Sequence, residues 1–361
     1  MNVLLSGATG TLGVPLVRAL LAAHPALRIT CVLRSGKSLQ ALRESLEPAM
    51  HGRIVPLLAD LADTGGVEAA AAALQPGGAM IGVHLAADVS WDKPCDEMVQ
   101  VNVEGSRNFC RLLHAASIAP QLIYVSTAYT QTHGWTYRNG YEESKALAEI
   151  SLRKEFGARM PISTFSCSLV VGDSRTGEIA RFNGLYPLIK FMAAFNPPFL
   201  VGNKDGLLDI VPVDWVVHEL AGLVEWLSSG GEPTEVVASA GNTRIRYEAA
   251  VRLIERQLSL ARGEQGQPSA PPVPILRDRQ WGFLKRSLAA WQPPGISASD
   301  FRYFERLLQV YGTYASSDRV RAPLNVRTPA PDPHDYLPKA IAHWVDRHPR
   351  VMRPRTVGEA A

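Results

Sequence analysis

The chain has 361 residues, 46% hydrophobic and 20% charged, with a formal net charge of +3. That balance excludes intrinsic disorder, collagen and coiled coil, and it supplies a full α/β core. No run reaches the roughly 20 apolar residues of a membrane span. The apolar N-terminus lacks a basic flank and reads as a buried strand rather than a signal peptide.

Charge is uneven. Residues 1–230 carry 18 Lys+Arg and 21 Asp+Glu, whereas residues 231–361 carry 19 and 13, together with 14 of the 26 prolines. The first part is therefore no nucleic-acid binder. The basic remainder suits a solvated arginine-rich surface or an anionic ligand group. Cys31, Cys95, Cys110 and Cys167 form no CxxC pair, which predicts no metal site, no disulfide framework and a reducing cytoplasm.

Strands are expected over 2–6, 28–33, 53–59, 80–85, 121–126 and 163–171, with helices over 11–23, 38–46, 65–74, 95–116 and 141–156. Continuously apolar strands such as Val3-Leu4-Leu5 suit burial on both faces of a parallel sheet. The alternation predicts a doubly wound, Rossmann-type α/β fold. Pro56 places its strand at an edge. After Gly177 the alternation fades. Helices are expected over 183–195, 213–227, 246–258, 301–310 and 338–345, one strand over 235–239, and a Gly/Pro-rich loop over 263–274. The expected organisation is a dinucleotide-binding domain over 1–230, with 177–212 contributing to the substrate pocket, and a smaller, mainly helical substrate cap over 231–361.

The first strand runs into Gly7-Ala8-Thr9-Gly10-Thr11-Leu12-Gly13. Strand, glycine turn and helix in that order bring a helix N-terminus to a pyrophosphate. The second strand ends at Arg34 instead of the acid that usually holds the ribose hydroxyls of NAD. An arginine pairs with a 2′-phosphate, so NADPH is the expected cofactor. Asp60, followed by Leu61, is either an acceptor for the adenine amino group or a helix cap.

Tyr141 and Lys145 stand four apart at the head of a helix, hence on one face. An ammonium near a phenol favours the phenolate, which makes the tyrosine a proton donor or acceptor near neutral pH. The strand ending Ser126-Thr127 adds a hydroxyl, with either residue eligible. Cys167 reads as a core cysteine or as a wall of the nicotinamide pocket. His84 reads as hydrogen-bonded support, and His133, Trp91, Trp135 and Tyr137 as pocket wall or packing.

Gly7/Gly10/Gly13, Asp60, His84-Leu85-Ala86-Ala87, Asn102, Ser126-Thr127 and Tyr141/Lys145 together resemble the extended short-chain dehydrogenase/reductases. Val125–Tyr129, Tyr141–Glu149, Val171–Gly177 and Asp209–Asp214 are similar to fatty acyl-CoA reductases and carrier-protein thioester reductase domains. The resemblance implies that Thr127, Tyr141 and Lys145 are catalytic. It further implies that Gly7, Thr9, Gly10, Thr11, Leu12, Gly13, Arg34, Asp60, Leu61, Ala86, Ala87, Asn102, Tyr141 and Lys145 hold NADPH. The implied reaction is reduction of an acyl thioester, on coenzyme A or an acyl carrier protein, to aldehyde and onward to alcohol. It also implies a monomer or homodimer. Two departures stand out: only 13 residues separate Thr127 from Tyr141, and Ser166-Cys167 replaces a common Arg-Pro pair. A free ketone, aldehyde or alcohol substrate is the alternative. A non-catalytic NADPH sensor or a sugar-nucleotide epimerase fits less well, given the retained Tyr141 and Lys145 and the arginine at 34.

Overall fold

A computed structural model of the chain describes residues 1–130, 136–264, 273–277, 279–283, 314 and 320–352. The expected helix over 301–310, most of the 263–274 loop, His133 and Trp135 lie outside the described residues. Two compact units emerge, and they interleave along the chain. One comprises Met1–Ser168, Val213–Ser239 and Val320–Ala330; the other comprises Leu169–Pro212, Ala240–Arg319 and Pro331–Ala361. The sequence-order boundary after residue 230 falls inside the first of these.

The first unit is built on seven parallel strands: β1 (Val3–Ser6), β2 (Ile29–Leu33), β3 (Ile54–Leu58), β4 (Met80–His84), β5 (Pro120–Thr127), β6 (Ile162–Cys167) and, later in the chain, β11 (Glu235–Ala238). Their order is β11-β6-β5-β4-β1-β2-β3, the doubly wound arrangement the alternation predicts. The helices are α1 (Gly13–Ala23), α2 (Gly36–Glu44), α3 (Thr64–Ala72), α4 (Cys95–Val99), α5 (Gly105–Ala116), α6 (Gly140–Phe156) and α8 (Val213–Ser228). Apolar residues of β1, β2 and β5 pack with Val67 of α3, Phe109, Leu112 and Leu113 of α5, and Leu152 and Phe156 of α6. That buried layer fixes α6 against β5. Pro56 lies on β3, which among the described residues pairs only with β2, so its missing N–H costs no ladder bond in the sheet interior.

Two local departures from the sequence reading matter. The expected helix over 95–116 contains a π-helical turn at Gln100–Glu104 between α4 and α5. The expected strand over 163–171 ends at Cys167. Ser168 N–H still donates to Ala238, whereas Leu169 N–H donates to Asp209.

In the second unit β7 (Leu169–Val171) pairs in parallel with β10 (Ile210–Pro212), β8 (Leu200–Val201) with β13 (Ile275–Leu276), and β9 (Leu207–Leu208) antiparallel with β12 (Ile245–Arg246). Among its described residues, helices α7 (Tyr186–Phe195), α9 (Tyr247–Glu264) and α10 (Pro333–Arg347) belong to it. Asn196, in the left-handed region at φ 43°, ends α7 as the Asn-Pro-Pro sequence anticipates. Tyr336 of α10 donates to the Ile210 carbonyl at 2.8 Å, tying the helix to β10.

Candidate active site

The glycine turn follows β1 at the point where the strand order reverses. Gly7 has φ +69°, and a Cβ there would meet Leu85 C at 2.9 Å and Ala86 N at 2.8 Å. Gly10 N–H closes the turn on the Gly7 carbonyl at 2.9 Å, and a Cβ on Gly13 would run into that same oxygen. Backbone therefore touches backbone where larger residues would hold it apart. Helix α1 starts without a side-chain cap or an acid in its first turn, so its dipole and N–H groups suit an anion. Thr9, Gly10, Thr11 and Leu12 are partly exposed along the turn, as are Ala86 and Ala87 beside it. This cradle fits a dinucleotide pyrophosphate.

Around it, Arg34 is exposed immediately after β2. Asp60 accepts from Ala62 N–H at 3.0 Å, with the partly buried Leu61 between them. The cap of α3 is Asp63, which accepts from Gly66 N–H at 3.1 Å, so the cap reading of Asp60 is set aside. His84 is the buried support the sequence suggests. Its Nδ1 pairs with the Ser6 hydroxyl at 2.7 Å and its Nε2 with Ser106 at 2.9 Å, while Ser6 Oγ accepts from Leu85 and Ala86 N–H at 3.2 Å. Burial pushes the imidazole well below its usual range, so it is neutral.

The π turn places Asn102. Its Oδ1 accepts from Asp88 N–H at 2.7 Å, and its Nδ2 donates to the Asp88 carbonyl at 3.0 Å and to Ser144 Oγ at 2.8 Å. Ser144 in turn donates to the Tyr141 carbonyl at 2.9 Å. One amide thus joins the loop after Ala87 to the first turn of α6. That turn is capped by Asn139, which accepts from Glu142 N–H at 2.9 Å. A buried Arg138–Glu142 pair at 3.0 Å reinforces it.

Thr127 ends β5 opposite Cys167 at the end of β6, and both are buried. Tyr141 is partly buried and Lys145 fully so. The Cys167 thiol is buried, as the core reading expects, and lies within electrostatic reach of Tyr141 and Lys145. Burial, helped by Cys167 and Glu142, pushes the Tyr141 phenol above its usual range. Burial lowers Lys145 to about 7, and burial raises Cys167 to about 12. The lysine-driven lowering of the phenol expected from the sequence is not what this structure shows, because desolvation dominates. The phenol is held protonated. Sequence reasoning passed over Tyr124, whose ring lies beneath Lys145, and Arg321, whose N–H donates to the Ala128 carbonyl beside Thr127. Only the run of hydroxyls and aromatics in β5 signals the first; no local pattern signals the second.

A separate cavity of about 890 Å³, lined by His24, Glu219, Trp226 and Arg327 among others, lies toward the N-terminal ends of the strands and away from this site. Among the described residues no group of His, Cys, Asp and Glu could hold a metal ion, and no helix is long and apolar enough to cross a membrane.

The sequence model of the male sterility protein family, an NAD-binding domain, matches residues 5–136 and 130–220. The chain belongs to this family. The male sterility protein match spans the glycine turn, Asn102, Thr127, Tyr141 and Lys145. The chain is also 28% identical over 253 residues to a linear gramicidin synthase of Brevibacillus parabrevis, covering 60% of this chain and 5% of that protein. It therefore spans a small part of that relative's length. Among solved structures, the terminal R domain from the myxalamid PKS-NRPS biosynthetic pathway matches with TM-score 0.70 at 21% identity, covering 96% of this chain and 90% of that one. A thiolation-reductase di-domain from an archaeal non-ribosomal peptide synthetase matches with TM-score 0.63 at 14% identity, covering 97% and 76%. These likenesses show the fold, a Rossmann-like α/β fold on a parallel central sheet.

Proposed function

We propose that this male sterility family protein is an NADPH-dependent reductase of acyl thioesters, carried on coenzyme A or a carrier protein. One arrangement carries the reading: Tyr141 and Lys145, a helical turn apart on α6, both lie within reach of Cys167, the strand-end partner of Thr127, and Asn102 ties their helix to the loop after Ala87, beside a turn shaped for a pyrophosphate. The likeness to a thiolation-reductase di-domain supports a thioester substrate.

Bound NADPH supplies one hydride. Gly7, Gly10 and Gly13 let the backbone approach its pyrophosphate, Arg34 pairs with the 2′-phosphate, and Lys145 holds the nicotinamide ribose. Thr127 donates a hydrogen bond to the thioester oxygen and orients the carbonyl. As the carbon gains hydride, its C=O electron pair moves to oxygen, which takes the Tyr141 proton. The hemithioacetal returns that proton to Tyr141 as its C–S bond breaks. The sulfur leaves as a thiol after taking a solvent proton, and an aldehyde remains. A second round gives the alcohol.

The short 128–140 segment keeps a free ketone or aldehyde as the second reading. NADPH oxidation is measured against acyl-CoAs, carrier-bound acyl groups and free carbonyls, with products identified. Thioester turnover is expected, falling about 10²–10⁴-fold in Tyr141→Phe. Turnover of free ketones alone overturns the thioester reading; no carbonyl turnover overturns the reductase.

A further inference from the structure

Residues 320–330 belong to the first unit although they follow β11 at a long sequence distance. Leu324 bridges Val237 in antiparallel fashion, with N–H···O distances of 2.9 and 3.2 Å. Asn325 donates to the Glu235 carbonyl at 2.9 Å and to Thr234 Oγ1 at 3.1 Å. Buried Glu219 of α8 accepts from the N–H groups of Arg327 and Thr328. The segment is therefore strapped to the sheet edge at several points.

Arg321, at the head of this strap, reaches the C-terminal ends of β5 and β6 and the first residue of β11. Its backbone N–H donates to the Ala128 carbonyl at 2.9 Å, and its side chain holds that backbone in place. Its Nη1 donates to Ser166 Oγ on β6 at 3.4 Å, and its Nη2 pairs with Glu235 Oε1 on β11 at 2.5 Å. Ala128 N–H donates to the Cys167 carbonyl at 2.9 Å. Both peptide groups of Ala128 are thus pinned, one by β6 and one by Arg321. The residue immediately before Ala128 is Thr127.

We infer that Arg321 is a positioning residue: it ties the C-terminal ends of β5 and β6 to the first residue of β11 and so fixes where the Thr127 hydroxyl points. The role in turnover rests on the reading of Thr127 given above; the locking does not. A guanidinium suits the task because its planar fork serves Glu235 and Ser166 at once, whereas a lysine ammonium holds only one of them in that geometry.

The test uses the full chain. Hydrogen exchange is followed by mass spectrometry in peptides covering 120–130 and 162–168, in wild type, Arg321→Ala and Arg321→Lys. Arg321→Ala is expected to speed exchange there about tenfold or more and leave the α1 and α3 peptides unchanged. Its kcat is expected to fall ten- to a hundredfold, as misplacement of a positioned group does, with the Kd for NADPH within twofold of wild type. Arg321→Lys falls between the two. Glu235→Gln frees the guanidinium from the other end and gives a smaller change of the same kind, which keeps the test decisive if Arg321→Ala does not fold. Unchanged exchange at 120–130 overturns the inference, as does faster exchange with undiminished kcat. A wild type that reduces no carbonyl overturns the proposed function instead, while exchange still decides the lock.

Discussion

The ammonium nitrogen of Lys145 lies 4.2 Å above the ring centre of Tyr124, and the Tyr124 hydroxyl donates to the Lys145 carbonyl at 3.1 Å. One buried side chain thus holds both the backbone and the charge of a single lysine. The ring face favours the charged form, an effect worth up to about 2 kcal/mol at a desolvated site. The other groups within electrostatic reach are Glu149, which favours the ammonium, and Cys167 and His84, both neutral where Lys145 titrates. Tyr124→Phe keeps the ring and is expected to hold kcat/KM within about threefold. Tyr124→Leu removes it, so Lys145 loses its proton at still lower pH and the alkaline limb of the kcat/KM profile moves down by about one unit. An unshifted limb in Tyr124→Leu would show that the ring only fills space.

Lys145 titrates at about 7 in the free protein because burial outweighs its neighbours. An anionic dinucleotide beside it favours the ammonium. Binding at pH 8 should therefore draw in about 0.9 proton, and binding at pH 6 about 0.1. The sign follows from the free lysine being mostly neutral above 7 and mostly charged below it. Titration calorimetry in buffers of different ionisation enthalpy measures this uptake. Subtracting the same measurement on Lys145→Met removes protons taken up by the cofactor's own phosphate. Equal uptake in both proteins would remove Lys145 from the cofactor site.

Much of this was legible in the sequence because it is local. Apolar runs of strand length, the Gly7 turn and a tyrosine and lysine one helical turn apart each announce themselves within a few residues. What was not legible depends on pairing across the chain. Nothing near Ser168 signals that Leu169 leaves the Ala238 neighbourhood for Asp209, because the run from 163 to 171 holds only strand-compatible residues, with no glycine, proline or charge to mark a break. The π turn at Gln100–Glu104 is hidden in a helical pattern, and it decides where Asn102 points. Arg321 looks like any other residue of a basic, proline-rich stretch until the fold brings it to Ala128. The direction of the Tyr141 shift also escaped, since spacing shows the nearby ammonium but not the loss of water.

Arg34 stands exposed just after β2, and Ser35 caps the following helix by accepting from Ser38 N–H at 3.4 Å. Neither feature needs the guanidinium, so Arg34 can be changed with little effect on folding. Arg34→Asp exchanges a partner for a 2′-phosphate for an acceptor of ribose hydroxyls. Charge-assisted hydrogen bonds contribute about 1.5–3 kcal/mol, so the KM for NADPH should rise tenfold or more while that for NADH falls. Steady-state kinetics with both cofactors, alongside an unchanged Tm, checks this. An unaltered NADPH:NADH ratio would place the 2′-phosphate elsewhere.

Gly140 opens the helix that carries Tyr141, and it tests how closely that helix must dock. A Cβ there would lie 2.5 Å from Cys95 N, 2.5 Å from Pro94 C and 2.6 Å from Lys93 O. All three are backbone atoms at the start of α4, so no side chain can swing aside, and the two helices must part instead. The helix propensity gained by alanine, about 1 kcal/mol, is small against such an overlap; overpacking costs about 1–3 kcal/mol or more. Parting α4 from α6 also pulls on Asn102, which bonds Ser144 and the Asp88 backbone between them. Gly140→Ala should therefore lower Tm by several degrees and reduce kcat beyond tenfold at temperatures where the protein is still folded. Gly52→Ala is the control, because a Cβ there meets nothing within 4 Å. If Gly140→Ala matches that control in both Tm and kcat, the seating of α6 against α4 does not set the position of Tyr141.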